Sequence, residues 1–188
     1  MAPGSGDGEA VKLYVMRHGS AEDRADSGMD SDRALTSSGR ERVRSVAKLL
    51  LELDEAPLHI VTSPLVRAVQ TAEIVAVVTK LSDRDGTVEV RRELAAGNGG
   101  GAALVASLAS ASSRRVMLVG HEPDLSELAS NLLSETAALG ASKQAPSSFD
   151  KAMVLGIYVG PGGDPSRLRF VLDPRALRLD PDLRGAGP

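Results

Sequence analysis

Short apolar runs alternate with longer amphipathic segments along most of the chain. Val11–Met16 is apolar and rich in strand-forming residues, and it ends at the polar triplet Arg17-His18-Gly19. Runs of this length, bounded by polar or turn-forming residues, are typical of buried strands. Two other runs have the same form, Leu58–Thr62 before Ser63-Pro64 and Val116–Val119 before Gly120-His121. The pattern therefore predicts three buried strands that end at polar residues.

A helix is predicted after each of the first two apolar runs. Thr36 is a predicted N-cap, and apolar residues recur every three to four positions from there to about Leu53. Ser63 is a second predicted N-cap, because the next residue, Pro64, suits the first position of a helix. This second helix is expected to reach about Lys80. The Asp- and Ser-rich segment at 20–35 has no apolar period and is predicted to be a loop beside the end of the first strand.

The remaining segments continue the alternation. Residues 141–148 are expected to be a polar linker within the same domain. The other predicted elements are a weaker strand at Val88–Val90, a helix from the glycine-rich residues 97–101 to about Ser113, a helix from Glu122-Pro123-Asp124 to about Leu133, and two antiparallel strands, Ala152–Val159 and Leu168–Leu172, around a loop at 160–165.

Strands that alternate with helices of this length predict a three-layer α/β/α sandwich, because parallel neighbours need a long crossover. We expect an α/β fold with a mostly parallel central sheet and an antiparallel edge. The length of 188 residues fits one domain. We place that domain at 11–180, between a disordered tail at 1–10 and a frayed tail at 181–188.

Composition removes several classes of function. Lys and Arg number 22 against 25 Asp and Glu, a net charge of −3, so nucleic-acid and membrane partners are not expected. The chain has no cysteine, which excludes disulfides, thiolate metal sites and a cysteine nucleophile. No secretory leader and no apolar segment of about 18 residues is present. We therefore expect a cytoplasmic protein.

Ionisable residues follow the predicted strands. Ligands of open α/β sheets bind beyond the carboxyl ends of the strands, and Arg17, His18, Arg67 and His121 all fall there. Two histidines and two arginines without a carboxylate cluster suit a phosphoryl group better than a metal, because the arginine fork matches phosphate oxygens. A neutral imidazole can also attack phosphorus and carry the phosphoryl group covalently.

At these residues the sequence resembles the histidine phosphatase superfamily, also called the phosphoglycerate mutase-like family, and within it the SixA-type phosphohistidine phosphatases. The resemblance covers most of residues 11–135. Its motifs, in order along the chain, are Leu13-Tyr14-Val15-Met16-Arg17-His18-Gly19, Arg33-Ala34-Leu35-Thr36 with Gly39, Thr62-Ser63-Pro64-Leu65-Val66-Arg67-Ala68-Val69-Gln70-Thr71-Ala72, Glu93-Leu94, and Val119-Gly120-His121-Glu122-Pro123-Asp124.

The resemblance implies a role for each of these positions. His18 would be the nucleophile that becomes phosphorylated, and Arg17, Arg67 and His121 would form the phosphate pocket. Glu93 falls where the family keeps an acidic proton donor, with Asp30 as the competing acid. No metal and no organic cofactor is implied. Ser63 is expected mainly as the N-cap, and such a cap can also contact the phosphate if its helix points at it.

The expected function is that of a cofactor-independent phosphohydrolase acting through a phosphohistidine on His18. A phosphohistidine-bearing protein is the favoured substrate, because the segment between Glu93 and Val116 has room for only one short helix and for no large lid. One alternative is a phosphatase of small phosphoesters or phosphoanhydrides. The other is a phosphate- or phosphoprotein-binding module without turnover.

Overall fold

A seven-stranded sheet forms the centre of the fold. The computed structural model describes residues 10–99, 101, 103–105, 114–138, 145–160 and 164–179. The strands are β1 (Val11–Arg17), β2 (His59–Thr62), β3 (Thr87–Val90), β4 (Arg115–Gly120), β5 (Val154–Val159), β6 (Arg167–Asp173) and β7 (Arg178–Leu179). Their order across the sheet is β3-β2-β4-β1-β5-β6-β7.

The sheet is parallel on one side of β1 and antiparallel on the other. β3, β2, β4 and β1 run in the same direction. β5 pairs antiparallel with β1, β6 with β5, and β7 with β6. The carboxyl ends of β1, β2 and β4 therefore meet at one edge of the sheet. β6 also ends at that edge, because two antiparallel pairings restore the direction of β1.

Among the described residues, three long helices cover this sheet, α1 (Ser37–Glu52), α2 (Val66–Val78) and α3 (Asp124–Ala138). Short 3-10 helices lie at Asp30–Asp32, Ser82–Arg84 and Arg92–Leu94. The predicted cap of α1 is confirmed, since Thr36 Oγ1 accepts a 2.9 Å hydrogen bond from the Gly39 amide. In the part of the chain that the structure describes, no helix has the length and apolar character needed to cross a membrane.

The alternation of side chains along β1 separates two apolar cores. Tyr14 and Met16 point to the face that α1 and α2 cover, where they pack with residues such as Val43. Leu13 and Val15 point to the opposite face, which α3 covers. This arrangement confirms the predicted three-layer α/β/α class with its antiparallel edge.

Some boundaries differ from the sequence-based expectations. α2 begins at Val66 with Leu65 as its N-cap residue, so the prediction that Ser63 caps this helix is wrong. The Ser63 hydroxyl instead accepts a 3.3 Å hydrogen bond from the Leu65 amide and contacts the His121 ring. α3 continues to Ala138, beyond the expected end near Leu133, and β7 was not predicted.

Other expectations concern parts of the chain that are not described. In the helix expected before Ser113, residues 101 and 103–105 are helical, and residues 100, 102 and 106–113 lie outside the described residues. The same holds for both predicted tails except residue 10, for 141–144 of the polar linker and for 161–163 of the loop before β6.

Two glycines allow α1 to approach the chain that leaves β1. A Cβ on Gly39 would lie 2.2 Å from the Ser20 carbonyl oxygen, and one on Gly19 would lie 2.8 Å from Val43 Cγ2. The Ser20 carbonyl cannot yield easily, because it accepts a 3.0 Å hydrogen bond from the Thr36 amide. Glycine at these two positions therefore lets the start of α1 pack directly beside His18.

We expect Gly39→Ala to destabilise the protein although alanine favours helix. The new methyl group meets backbone rather than a flexible side chain, and such overpacking typically costs about 1–3 kcal/mol. Urea unfolding followed by circular dichroism measures this loss. Lys48→Ala, at an exposed position of the same helix, should stay within about 0.5 kcal/mol of wild type. Equal unfolding midpoints for Gly39→Ala and wild type would contradict the close approach.

Candidate active site

The strand ends bring the predicted site residues together. Arg17 is the last residue of β1, His18 follows it, His121 follows β4, and Arg67 lies in the first turn of α2. The rings of His18 and His121 are 4.9 Å apart between centroids. Both histidines are 3% exposed and Arg67 is 6% exposed, so the site is a buried, positively charged pocket.

The His18 ring has a defined proton position. Its Nδ1 lies 2.7 Å from the Gly19 carbonyl oxygen, and a carbonyl can only accept, so Nδ1 carries the proton. The lone pair of the neutral ring is therefore on Nε2, which faces the Lys151 Nζ atom at 3.4 Å. This is the tautomer that a nitrogen nucleophile requires.

Burial and neighbouring cations keep both imidazoles neutral. Desolvation and the Lys151 ammonium lower the pKa of His18 to about 3. Desolvation and the Arg67 guanidinium lower the pKa of His121 to about 4. Each ring would have to gain charge in a pocket that is already positive, which is unfavourable. At neutral pH, His18 therefore keeps its Nε2 lone pair.

Internal acceptors hold the two arginines. Arg17 donates to the Phe149 carbonyl. Arg67 donates to the Asp30 carbonyl at 2.7 Å and to its carboxylate at 2.9 Å. Hydrogen bonds from Arg33 and Arg67 hold the pKa of the Asp30 carboxyl below its usual range. Asp30 thus accepts one hydrogen bond from each terminal nitrogen of the Arg67 guanidinium.

Two buried polar atoms of the pocket have no hydrogen-bond partner among the described residues, Arg17 Nε and His121 Nδ1. The other nitrogen of His121, Nε2, lies 2.8 Å from the Ser63 hydroxyl. If Ser63 donates its proton to that nitrogen, the His121 proton sits on Nδ1 and is free to donate. A phosphoryl oxygen would supply the missing acceptor for both N–H groups.

Two adjacent side chains of α2 fix the loop at 20–35. Thr71 Oγ1 accepts a 3.1 Å hydrogen bond from the Gly19 amide at the start of the loop. Gln70 Oε1 accepts a 2.7 Å hydrogen bond from the Leu35 amide at its end. Thr71 therefore positions the backbone beside His18, and Gln70 positions the end of the loop that carries Asp30.

Glu122 connects the end of β4 to the segment that precedes β5. Its carboxylate accepts hydrogen bonds from the Phe149 amide at 2.9 Å and from the Ser126 hydroxyl at 2.8 Å. Since the Phe149 carbonyl in turn holds Arg17, Glu122 acts indirectly on the position of that guanidinium. In the sequence, this role has no independent signal beyond the place of Glu122 next to His121.

The two candidate proton donors are placed differently. Asp30 contacts Arg67 directly. Glu93 lies in the 3-10 helix after β3, at the same edge of the sheet, with a side chain that is 49% exposed and 3.9 Å from the Arg91 guanidinium. In the described structure no hydrogen bond joins Glu93 to His18 or to the three residues around it.

Lys151 is the site residue that sequence reasoning missed. Desolvation and the nearby Arg17 guanidinium lower its pKa to about 8. It is distant from His18 in sequence and belongs to no local motif. The antiparallel pairing of β5 with β1 brings it to the nucleophile. Within the described residues, no group of three or more His, Asp or Glu side chains is placed to hold a metal.

Comparison with known proteins agrees with this geometry. The family model of the histidine phosphatase superfamily (branch 1) matches residues 13–100. An uncharacterized protein of Picosynechococcus sp. (strain ATCC 27264 / PCC 7002 / PR-6) is 38% identical over 152 residues, which are 80% of this chain and 86% of the relative.

Solved structures show the same fold. The protein histidine phosphatase SixA complexed with tungstate is 25% identical, with a TM-score of 0.75 over 89% of this chain and 100% of that one. A SixA protein from Agrobacterium tumefaciens is 22% identical, with a TM-score of 0.68 over 87% of this chain and 97% of that one. Together with the family match and the buried pocket at the sheet edge, these likenesses establish that the chain belongs to the histidine phosphatase superfamily.

Proposed function

We propose that this protein is a cofactor-independent phosphatase that forms a phosphohistidine on His18. The observation that carries the proposal is the His18 Nε2 atom, which is unprotonated, buried and 3.4 Å from the Lys151 ammonium. The Gly19 carbonyl holds the ring proton on the other nitrogen. The guanidinium groups of Arg17 and Arg67 supply the charge that three equatorial phosphoryl oxygens need in the transition state.

The first chemical step transfers the phosphoryl group to the enzyme. The His18 Nε2 lone pair forms the N–P bond while the bond from phosphorus to the leaving group breaks, and the leaving group keeps that electron pair. Arg17, Arg67 and His121 donate hydrogen bonds to the phosphoryl oxygens. Glu93 donates a proton to a leaving group that needs one. When the substrate is a phosphohistidine, its imidazole can leave without this help if the ring is already protonated.

Water completes the cycle in a second step. Its oxygen attacks phosphorus, the N–P bond breaks, and the electron pair returns to His18 Nε2. Glu93 takes the proton of the water as a carboxylate, which it is after donating its proton to an ester leaving group or from the start with a phosphohistidine substrate, and orthophosphate leaves. Asp30 is less suited to donate the first proton, because Arg33 and Arg67 lower the pKa of its carboxyl.

Phosphohistidine-bearing proteins are the substrate class that we favour. The likeness to a protein histidine phosphatase that was crystallised with tungstate, a tetrahedral oxyanion like phosphate, supports this choice. The chain between β3 and β4 spans only residues 91–114, too little for a large lid over the pocket. A folded protein could therefore present its phosphorylated side chain to the pocket.

We further propose that the protein works in the cytoplasm.

Replacing the nucleophile should abolish the covalent intermediate. We expect wild-type protein, mixed with a 32P-labelled phosphohistidine protein or an aryl phosphate and quenched rapidly, to carry a base-stable, acid-labile phosphoryl group. His18→Ala should carry none, and its turnover should fall by at least about a thousandfold, as typically follows loss of a nucleophile. Gel autoradiography detects the adduct, and phosphate release gives the rate.

His59→Ala is the matched control, because His59 lies at the amino end of β2 and contacts Thr87 instead. It should retain both the adduct and the rate. Undiminished turnover in His18→Ala would refute the proposed mechanism. Hydrolysis of small phosphoesters alone would assign the protein to the small-molecule class, and binding of phosphate without any turnover would indicate a binding module.

The two acids should respond differently to the leaving group. We expect Glu93→Gln to slow phenyl phosphate hydrolysis by about a hundredfold, within the usual range for loss of a general acid. With p-nitrophenyl phosphate, whose leaving group needs little protonation, the loss should be small. Asp30→Asn should lower KM for both esters, because the Asp30 carboxylate no longer competes with phosphate for Arg67. Steady-state kinetics on the ester pair measures these effects.

The reverse pattern would reassign the acid. If Asp30→Asn lost activity selectively with phenyl phosphate while Glu93→Gln did not, Asp30 would be the proton donor.

A further inference from the structure

A second cavity of about 290 Å³ lies beside the phosphate pocket. Three basic side chains line it, Arg42, Lys151 and Arg175, and the one carboxylate in its lining is that of Asp150. Ser20 and Ser38 add hydroxyl groups. The cavity therefore carries a positive charge that its own residues do not balance.

The cavity lies at the same edge of the sheet as His18. Arg42 comes from α1, Arg175 follows β6, and Lys151 precedes β5. Arg42 donates to the Pro174 carbonyl, and Arg175 donates to the Asp150 carboxylate at 3.0 Å. These contacts hold both guanidinium groups at the cavity.

Lys151 belongs to both the cavity and the phosphate pocket. Its ammonium lies 3.4 Å from His18 Nε2, whereas a phosphorus atom poised for attack must itself come within about 3–3.5 Å of that nitrogen. The two cannot occupy the same place, so Lys151 must turn aside when a substrate binds. The cavity that the same side chain lines provides space for this movement.

We propose that this cavity binds a second anionic group, a carboxylate or a phosphate, of the phosphorylated substrate. The inference rests on the proposed function, because it assumes that the first phosphoryl group sits at His18. The planar forks of two arginines match either anion. The volume is also sufficient, since a water molecule takes about 30 Å³ in the liquid and a carboxylate is only a few times larger.

The substrate preference follows from this assignment. With a second anion in place, the displaced Lys151 ammonium would lie between two negative groups. Substrates with an acidic group near the phosphoryl group should therefore bind more tightly than neutral ones. For a phosphorylated protein, that group would be an Asp or Glu side chain close to the phosphohistidine.

Non-hydrolysable ligands test the subsite without requiring turnover. We would measure the dissociation constants of phosphonoacetate, 3-phosphonopropionate and 4-phosphonobutyrate by calorimetry, each against the alkylphosphonate of equal chain length. Wild-type protein should bind at least one acid about tenfold or more tightly than its neutral partner, as close charge pairs can provide. Equal affinities across the whole series would overturn the proposal.

Variants of the cavity arginines test whether the preference for acidic over neutral ligands arises in the cavity. Arg42→Gln and Arg175→Gln should each reduce the preference by about fivefold, near the upper end of what one exposed ion pair provides, and leave alkylphosphonate binding unchanged. Arg175 is 76% exposed in its side chain, so its replacement should not disturb folding. Arg44→Gln is the matched control, because it removes the same charge from α1 at an exposed residue paired with Glu41. An equal loss in Arg44→Gln would show general electrostatics and refute the subsite.

Phosphohistidine peptides with Glu or Gln beside the modified residue separate the two sources of the anion. Faster turnover of the Glu peptide, lost in Arg175→Gln, would identify a protein carboxylate. A preference confined to the small phosphonates would support the subsite with a small-molecule source instead. Absence of all turnover would refute the proposed function, while the binding ratios would still decide the subsite.

Discussion

The place of β1 between β4 and β5 decides what surrounds His18. The parallel register aligns Met16 with Val119 and Arg17 with Gly120, so His18 and His121 leave the sheet side by side. The antiparallel register aligns Met16 with Val154, and the Ala152 amide contacts the carbonyls of Arg17 and His18. The backbone of Lys151 is thereby held next to the nucleophile. A shift of either register would separate these groups.

Burial makes the charge of this pocket effective. Cations that have lost water interact more strongly with an incoming anion than they would at the surface, but their buried N–H groups need hydrogen-bond partners within the protein. Arg17 uses the Phe149 carbonyl and Arg67 uses Asp30. Both are internal substitutes for phosphate oxygens. Burial, the Lys151 ammonium and the Arg67 guanidinium keep His18 neutral, so the environment that attracts the anion also preserves the nucleophile.

Local sequence patterns were sufficient to predict much of the fold and to locate the residues at the end of β1, after β2 and after β4. The apolar runs that became β1, β2 and β4 are short and continuous, and Thr36 caps α1 through a contact only three residues away. His18, Arg67 and His121 could be placed at one edge of the sheet because each follows a buried strand. These signals are carried by neighbouring residues, which a single sequence displays directly.

Residues that act across long sequence distances could not be found in this way. Lys151 reaches His18 only through the pairing of β5 with β1. Ser63 looked like a helix cap, and its hydroxyl instead contacts His121, which is remote in sequence. The contact between Asp30 and Arg67 likewise depends on how α2 holds the loop at 20–35. Such contacts are properties of the assembled sheet edge.

The protonation state of His18 is the most direct test, because the whole mechanism requires a neutral ring with its lone pair on Nε2. Nitrogen-15 NMR of histidine-labelled protein, assigned with the His59→Ala variant and titrated from pH 8 to 4, measures both the tautomer and the pKa. We expect the Nδ1–H form throughout, since burial and Lys151 lower the pKa of His18 to about 3. A ring that gains its second proton near the ordinary pKa of about 6.5, or one that carries its proton on Nε2 at pH 7, would contradict this mechanism.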